Sequence, residues 1–230
     1  IKKRLSSWLI YDQLPHKVIT TGEAIRRAMI NQNGYKAEKI ISIPTGIDLS
    51  IYNHGKSDKN LKAKLGIPDK NLVVGIIAVL RNWKGHQYFV EAADIVLKKH
   101  PETSFLVVGA GNPKGAQRIS NQIRDLGLEK QILMLGFRED IPELLSLVDV
   151  FVLSSYGHEG IPQAVLQAMA MEKPVVATDV GSVYEAVNDE ITGYLVPARD
   201  SVSLAQKILI LLENREKREE MGRVGRKHVQ

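Results

Sequence analysis

A stretch in the second half of the chain carries residue types suited to binding an anion. Glu159 is followed by Gly160, Ile161 and Pro162 and then by an apolar run with helical spacing. Proline already has the helical φ and its missing N–H costs nothing in a first turn, so we expect a helix to begin at Ile161 and Pro162. A helix N-terminus presents unpaired N–H groups and about half a positive charge, and glycine permits close approach to the backbone. Gly160, Ile161 and Pro162 therefore mark a candidate anion site.

Two cations follow the first long apolar run of the chain. Arg81 and Lys84 come directly after residues 72–80, which the sequence predicts as a strand. Cations on a loop at the carboxyl end of a strand can neutralise a diphosphate, whose departure requires stabilisation of developing negative charge. The alternative is that both are solvated loop charges. The first interpretation predicts that Arg81, Lys84 and the Gly160 helix start converge on one phosphate site.

The elements that position these residues alternate between strands and helices. The predicted strands are residues 72–80, 104–108, 131–135, 150–153, 174–177 and 193–196. Besides the helix after Gly160, the predicted helices are residues 86–99, 117–126, 141–147, 201–212 and 215–228, with a short one near Tyr184. This alternation implies right-handed crossovers and a doubly wound, Rossmann-like α/β fold with a parallel sheet. Ligands of such sheets bind beyond the carboxyl ends of the strands, so the loops there should converge.

The regular alternation begins only after residue 70. Before it, residues 22–31 form a predicted helix closed by Gly34, and a polar, turn-rich stretch at residues 53–58 suits either a hinge or an ordinary surface loop.

Composition narrows the possible function classes. The 230 residues include no cysteine, which excludes disulfides and thiolate zinc sites, and the six histidines show no metal-ligand spacing. The net charge is +5, but the densest basic residues alternate with Glu216, Glu219 and Glu220, which is typical of a solvated helix face rather than a nucleic-acid module. The longest apolar runs are too short to span a bilayer. We expect no nucleic acid, no metal and at most peripheral membrane contact.

The motif that begins at Glu159 resembles a known signature. Residues 159–170 read EGIPQAVLQAMA, and KPVVA follows at residues 173–177. This pattern resembles the E-x7-E signature of glycosyltransferase family 4, which ends in E-A-M-A-x-G-x-P-V-V-A; these are retaining enzymes with a GT-B fold. Two positions differ. Gln167 replaces the second glutamate with an amide that can still donate and accept hydrogen bonds, and Glu172 stands where the family has a helix-capping glycine.

The resemblance implies roles for the residues of this motif. It places Glu159 beside the donor sugar, where its carboxylate would bind sugar hydroxyls, and Gln167 at the ribose. Backbone groups of Gly160, Ile161 and Pro162 would contact the sugar and the phosphate. Residues 43–48 read IPTGID and resemble the linker between the two domains of the family. The resemblance therefore makes the fold the C-terminal half of a GT-B fold. It implies three parts: residues 1–52 as the remnant of the first domain and its linker, residues 53–70 as a hinge, and residues 71–230 as the nucleotide-sugar-binding, Rossmann-like domain.

Other segments extend the resemblance. Lys84 is in register with the family's phosphate-binding segment, and Arg81, two residues beyond the family's arginine, would reach the same phosphate. Gly136 and Arg138 lie in a segment that resembles the one holding the nucleobase, where Arg138 would stack on the base or lie on the surface. His158 would be a minor substrate contact or a loop residue.

The resemblance implies a retaining transfer of a sugar from a nucleotide-diphosphate donor to a glycan or a lipid-linked acceptor, without a metal or other cofactor. It also implies a cytoplasmic enzyme, with possible contact at the inner face of the membrane. The alternatives are a sugar-nucleotide epimerase of the same fold and a non-catalytic nucleotide-binding domain. Because family acceptor contacts come from the first domain, we expect the 230 residues alone to bind a donor without transferring its sugar.

Overall fold

A computed structural model describes residues 5–53, 58, 60–157 and 159–230 of the chain. Within these residues, the strands form two sheets and consist of β1 (Val18–Thr20), β2 (Ile40–Ser42), β3 (Leu72–Ile77), β4 (Thr103–Val108), β5 (Ile132–Gly136), β6 (Val150–Leu153), β7 (Val175–Thr178) and β8 (Gly193–Val196). The α-helices are α1 (Leu5–Trp8), α2 (Glu23–Arg27), α3 (Leu61–Lys64), α4 (His86–Lys99), α5 (Pro113–Asp125), α6 (Ile141–Leu147), α7 (Gln163–Ala170), α8 (Val183–Ala186), α9 (Ser201–Glu213) and α10 (Arg215–Val229). Short π-helical segments, Leu9–Gln13 and Ala28–Gln32, follow α1 and α2.

The larger sheet confirms the predicted doubly wound α/β fold. Its six strands are parallel and lie in the order β5-β4-β3-β6-β7-β8. The chain adds strands outward from β3 on one side and then crosses back to place β6 on the other side. This reversal creates a crevice at the carboxyl ends of β3 and β6, where ligands of such sheets bind.

Apolar layers cover both faces of this sheet. Strands β4, β6 and β7 are buried along their whole length, as expected for strands between two helical layers. On one face, α4, α5 and α9 cover a cluster that includes Phe89 and Phe105, whose rings meet edge to face at 5.7 Å. On the other face, α3, α6, α7 and α8 cover a cluster that includes Phe151 and Met169. Close packing on both sides fixes the strand ends and therefore the loops that follow them.

Most of the predicted elements are present, and the largest difference has a local cause. Helices α4 and α6 and strands β6 and β8 have the predicted bounds. Helix α5 begins at Pro113, four residues before the predicted start, because the Asn112 side chain accepts a hydrogen bond of 2.7 Å from the Gly115 N–H. Asparagine at the N-cap and proline at the first helical position together favour this earlier start.

Residues 18–42 form a small unit beside the main sheet. Strands β1 and β2 pair in parallel, and Met29, Tyr35 and Ile40 form a separate apolar cluster beneath them. Gly34 has a φ of 65° after the second π-helical segment, which confirms the predicted end of this helical region. The proposed division of the chain at residues 52 and 70 stays a prediction, and residues 54–57 and 59 of the predicted hinge lie outside the described residues.

Candidate functional site

Two loops meet at the crevice between β3 and β6. We call residues 78–85 the β3 loop and residues 154–162 the β6 loop; His158 lies outside the described residues. The Ser154 hydroxyl donates to the carbonyls of Lys84 and Gly85 at 3.2 and 3.0 Å, and the Tyr156 N–H donates to the Trp83 carbonyl at 2.8 Å. These hydrogen bonds fasten the two loops to each other.

The backbone of Gly85 makes this close approach possible. Gly85 has a φ of 69°, and a Cβ atom there would lie 1.8 Å from the Ser154 carbonyl oxygen. A residue with a side chain would therefore be strained by its dihedral angles and would also collide with the β6 loop. Glycine at position 85 is a structural requirement of the junction between the loops.

An ion pair joins the two loops at the predicted site. Lys84 Nζ lies 2.7 Å from Glu159 Oε1, and the Ser155 hydroxyl donates to the same oxygen at 2.5 Å. The side chains of Lys84 and Glu159 are only 18% and 7% exposed. Lys84 Nζ also lies 4.5 Å from the centre of the Trp83 ring. Because an ammonium has three N–H donors, Lys84 retains donors for an anion while it is paired with Glu159.

The start of α7 differs from the prediction. The helix begins at Gln163, and Pro162 is its N-cap residue with an extended ψ of 122°. The predicted helix start at Ile161 and Pro162 is therefore wrong, and the Ile161 N–H donates to the Thr21 carbonyl at 3.1 Å instead of remaining free for an anion. The first-turn amides that lack a helical acceptor are those of Gln163 and Ala164.

Gly160 also packs against Thr21. A Cβ atom at position 160 would lie 2.3 Å from the Thr21 hydroxyl oxygen, so this glycine accommodates Thr21. Sequence reasoning assigned the small residue to ligand approach alone because Thr21 lies far away in the chain. A contact of Gly160 with a ligand stays a prediction.

Arg81 does not join the ion pair. Its side chain is exposed and borders a small cavity together with His86 and Arg118, on the side of the β3 loop that faces α5. Within the described part of the chain, no ion pair involves its guanidinium. The contact between Arg81 and a phosphate therefore stays a prediction.

His86 is a buried polar residue that sequence reasoning had considered only as a metal ligand. It begins α4, is 2% exposed and hydrogen-bonds to the Ala78 carbonyl. Burial lowers the pKa of His86 to about 4, and the nearby charges of Lys84 and Arg118 act in the same direction. The imidazole is therefore neutral at physiological pH and ties the start of α4 to the β3 loop.

The loop after β4 approaches both the β3 loop and the end of β5. A Cβ atom at Gly109 would lie 2.1 Å from the Ala78 carbonyl oxygen, and the Gly109 N–H donates to the Gly136 carbonyl at 2.8 Å. Gly136 has a φ of 66° at the end of β5. Nearby, Arg138 donates to both carboxylate oxygens of Asp140, at 2.7 and 2.5 Å. This pair lowers the pKa of Asp140 and raises that of Arg138; the role of Gly136 and Arg138 at a nucleobase stays a prediction.

Gln167 lies on the face of α7 that meets the linker. Its side chain interacts with the Tyr52 hydroxyl, and Gln163, one turn earlier, donates to the Gly46 carbonyl at 3.1 Å. Burial raises the pKa of Tyr52, and the interaction with Gln167 opposes that rise. None of the hydrogen bonds among the described residues joins Gln167 to Lys84 or Glu159, so its contact with a ribose stays a prediction.

The turn after β7 hydrogen-bonds to the backbone of Glu159, a contact that sequence reasoning missed. The Ser182 N–H donates to the Glu159 carbonyl at 2.9 Å. Gly181 has a φ of 60°, and a Cβ atom there would lie 2.1 Å from the same carbonyl oxygen. Gly181 was the available signal in the sequence, but nothing there linked it to Glu159.

Metal clusters and membrane spans are both absent from the residues that the structure describes. Those residues include no cluster of three or more histidine, aspartate or glutamate side chains that could hold a metal ion. None of their helices combines the length and the apolar character needed to cross a bilayer.

Comparisons with known proteins agree with the family resemblance. A family model described as "Glycosyl transferases group 1" matches residues 57–228. An Escherichia coli relative named UDP-Gal:alpha-D-GlcNAc-diphosphoundecaprenol alpha-1,3-galactosyltransferase is 31% identical over 180 residues, which are 77% of this chain and 46% of the relative. The chain spans about half the length of the first curated relatives that it matches.

Solved structures give the same assignment. Anabaena Alr3699/HepE in complex with UDP-glucose has a TM-score of 0.88 and 29% identity, with coverage of 95% of this chain and 60% of that one. The C-terminal domain of a glycosyl transferase group 1 family protein (LpcC) from Francisella tularensis has a TM-score of 0.70 and 30% identity, with coverage of 80% of this chain and 96% of that one. The chain therefore belongs to the group 1 glycosyl transferases and has the Rossmann-like, C-terminal half of a GT-B fold.

Proposed function

We propose that this chain binds the diphosphate of a nucleotide-sugar donor between the β3 loop and the β6 loop, for a glycosyl transfer that retains the anomeric configuration. The observation that carries the proposal is the Lys84–Glu159 ion pair. It lies at the carboxyl ends of β3 and β6, where the order of strand addition reverses. A cation and a buried carboxylate at this crevice provide one group for the diphosphate and one for the sugar.

Lys84 and the start of α7 would stabilise the leaving diphosphate. The Lys84 side chain is 18% exposed, so its charge is only partly screened by water. The Gln163 and Ala164 amides add the partial positive charge of the helix N-terminus. Arg81 is exposed on the same loop, and we retain it as a second cation for the diphosphate.

Glu159 would orient the donor sugar. Ser155 and Lys84 both bond to Oε1, which fixes the carboxylate before any ligand arrives. Among the described residues, no hydrogen bond involves Oε2, so this oxygen is available to a sugar hydroxyl. Because the Glu159 carboxylate is already oriented, it loses little conformational entropy when the sugar binds, which favours catalysis by positioning.

We propose a UDP-sugar as donor and a glycan or a lipid-linked sugar as acceptor. The Anabaena structure contains UDP-glucose, and the E. coli relative is named for UDP-Gal and a diphosphoundecaprenol acceptor. A lipid-linked acceptor would require contact with a membrane surface, which the net charge of +5 favours for anionic lipids. Product analysis by NMR would test retention, because an α-linked donor must then give an α-linked product.

Calorimetric titration of UDP into the wild-type chain and three variants tests the donor site. Lys84→Ala should weaken UDP binding by about 1.5–3 kcal/mol, the usual scale for a hydrogen bond to a charged group. The double variant Lys84→Ala with Glu159→Gln removes the unpaired carboxylate, and its UDP affinity should remain low. Lys130→Ala, which removes an exposed cation after α5, is the matched control and should bind UDP normally.

An unchanged dissociation constant for Lys84→Ala would contradict the proposal. Recovery of UDP affinity in the double variant would also contradict it, because Lys84 would then act only by neutralising Glu159. Wild-type affinity in the Lys130→Ala control ensures that any loss is not a general effect of lower net charge.

A further inference from the structure

A segment from the N-terminal unit contacts the candidate donor site. Residues 21–24, which we call the docking segment, lead from the end of β1 into the first turn of α2. The Thr21 carbonyl accepts the Ile161 N–H, and Thr21 also packs against Gly160. The docking segment thus contacts the β6 loop one and two residues after Glu159.

Glu185 fastens this segment from the other side. Its two carboxylate oxygens accept the N–H groups of Glu23 and Ala24, both at 2.8 Å. These amides belong to the first turn of α2 and have no acceptor within the helix. Burial raises the pKa of Glu185, but the hydrogen bonds from the two amides outweigh that effect and leave the pKa below its usual value.

The turn after β7 connects Glu185 with Glu159. Glu185 lies on α8, which begins directly after the turn whose Ser182 N–H donates to the Glu159 carbonyl. Gly22 packs closely on Ser182, because a Cβ atom at position 22 would lie 2.1 Å from the Ser182 hydroxyl oxygen. The docking segment, the turn after β7 and the β6 loop therefore form one connected contact around Glu159.

We infer that Glu185 is a positioning residue of the donor site, which it serves by fastening the docking segment against Gly160 and Ile161. This inference rests on the proposed donor-binding function. Two amide hydrogen bonds to one carboxylate fix both the distance and the orientation of α2. Since the docking segment and the donor act on the same β6 loop, docking and donor binding are thermodynamically linked.

Hydrogen exchange and UDP titration on Glu185→Ala test the inference. The Glu23 and Ala24 amides should exchange on the order of tenfold faster, and the Ile161 amide should also accelerate, because each loses its acceptor or its fixed partner. The dissociation constant for UDP should rise on the order of three- to tenfold. Glu213→Ala, at the exposed end of α9, is the matched control and should change neither measurement.

A second pair of variants tests the contact without altering Glu185. Gly160→Ala would place a methyl group 2.3 Å from the Thr21 hydroxyl oxygen and 3.4 Å from its Cβ atom. We expect faster exchange at Glu23 and Ala24 in Gly160→Ala, and rescue when Thr21→Ala removes the colliding hydroxyl. Gly46→Ala, where a Cβ atom has no neighbour within 4 Å, is the control for glycine replacement.

The outcomes separate this inference from the donor-binding proposal. Faster exchange at Glu23, Ala24 and Ile161 with weaker UDP binding supports the positioning role, whereas unchanged UDP affinity in Glu185→Ala overturns it. If the wild-type chain binds no UDP, the proposed function fails. The positioning role at a donor site then fails with it, and exchange at Ile161 decides only whether Glu185 fastens the docking segment to the β6 loop.

Discussion

Lys84 Nζ lies 2.7 Å from Glu159 Oε1, and this ion pair joins two residues that are 75 positions apart in the chain. Both side chains are largely buried, so each charge depends on the other for compensation. A buried pair of this kind contributes little net stability by itself, but removing one partner leaves an uncompensated charge. The pair therefore connects the stability of the site to its chemistry.

The first prediction concerns the stability cost of breaking this pair. Lys84→Ala should lower the free energy of unfolding by about 3–5 kcal/mol, because the hydrogen bond from Ser155 is then the one that the described residues still make to the Glu159 carboxylate. Adding Glu159→Gln should recover most of the loss. Lys64→Ala is the control, since Lys64 pairs with Asp58 at 2.7 Å but is 64% exposed. Its effect on urea denaturation should be small, and an equal loss in both single variants would contradict the prediction.

The second prediction compares two glycines with the same backbone conformation. Gly85 and Gly127 have φ values of 69° and 68°, but only Gly85 faces another backbone within contact distance. Gly127→Ala should cost about 1 kcal/mol, the price of a left-handed alanine. Gly85→Ala should cost about 2–4 kcal/mol, because its Cβ atom also meets the Ser154 carbonyl. Denaturant unfolding of both variants measures the difference, and equal losses would show that the loop junction tolerates a side chain.

The strands and most of the helices could be predicted from local patterns. Uninterrupted apolar runs fixed β6 and β8, and a clear apolar period fixed α4, because these signals lie within one segment. The convergence of loops at one sheet edge followed from the parallel topology. The rule places the loops together but does not say which side chains meet. For this reason the sequence predicted a phosphate contact for both Arg81 and Lys84, although of these two cations only Lys84 contacts Glu159.

The start of α7 could not be predicted from its own segment. Proline at position 162 suits both the N-cap and the first helical position, and local propensity favoured the latter. In the structure Pro162 has an extended ψ of 122° and is the N-cap, and the Ile161 N–H donates to the carbonyl of Thr21, which lies far away in the chain. Similarly, the contact of Glu185 with α2 joins residues more than 160 positions apart and leaves no local signal.

A third prediction follows from the residue that replaces the family's glycine. Glu172 has a φ of 55°, so the backbone keeps the left-handed conformation that glycine adopts freely. Glu172→Gly should raise the free energy of unfolding by about 0.5–1 kcal/mol, as relief of strain exceeds the entropy cost of glycine. Glu213→Gly, at the end of α9 and without a positive φ, should lower it instead. Thermal unfolding of both variants gives the two signs, and destabilisation by Glu172→Gly would contradict the argument.

The fourth prediction concerns pH. The pKa of His86 is about 4 in the folded chain and about 6.5 in the unfolded chain, so only the unfolded chain gains a proton between these values. Stability must therefore fall as pH decreases through this window. The contribution of His86 between pH 7 and pH 5 is about 2 kcal/mol. His86→Asn preserves a donor for the Ala78 carbonyl and should reduce the pH dependence of unfolding by that amount; an identical dependence in both proteins would contradict the buried, neutral imidazole.

The last prediction concerns Gln167 and separates a ribose contact from an effect on the linker. If the Gln167 amide binds ribose hydroxyls, Gln167→Leu should weaken UDP binding by about 1 kcal/mol and leave the affinity for inorganic diphosphate unchanged. Gln167→Glu, which restores the family residue, should be tolerated. Because Gln167 also interacts with the Tyr52 hydroxyl, Tyr52→Phe is the matched control that removes this interaction alone. Calorimetry with both ligands separates the possibilities. If Tyr52→Phe loses as much UDP affinity as Gln167→Leu, Gln167 acts through the linker. If Gln167→Leu loses equal affinity for UDP and for inorganic diphosphate, the packing of α7 is disturbed.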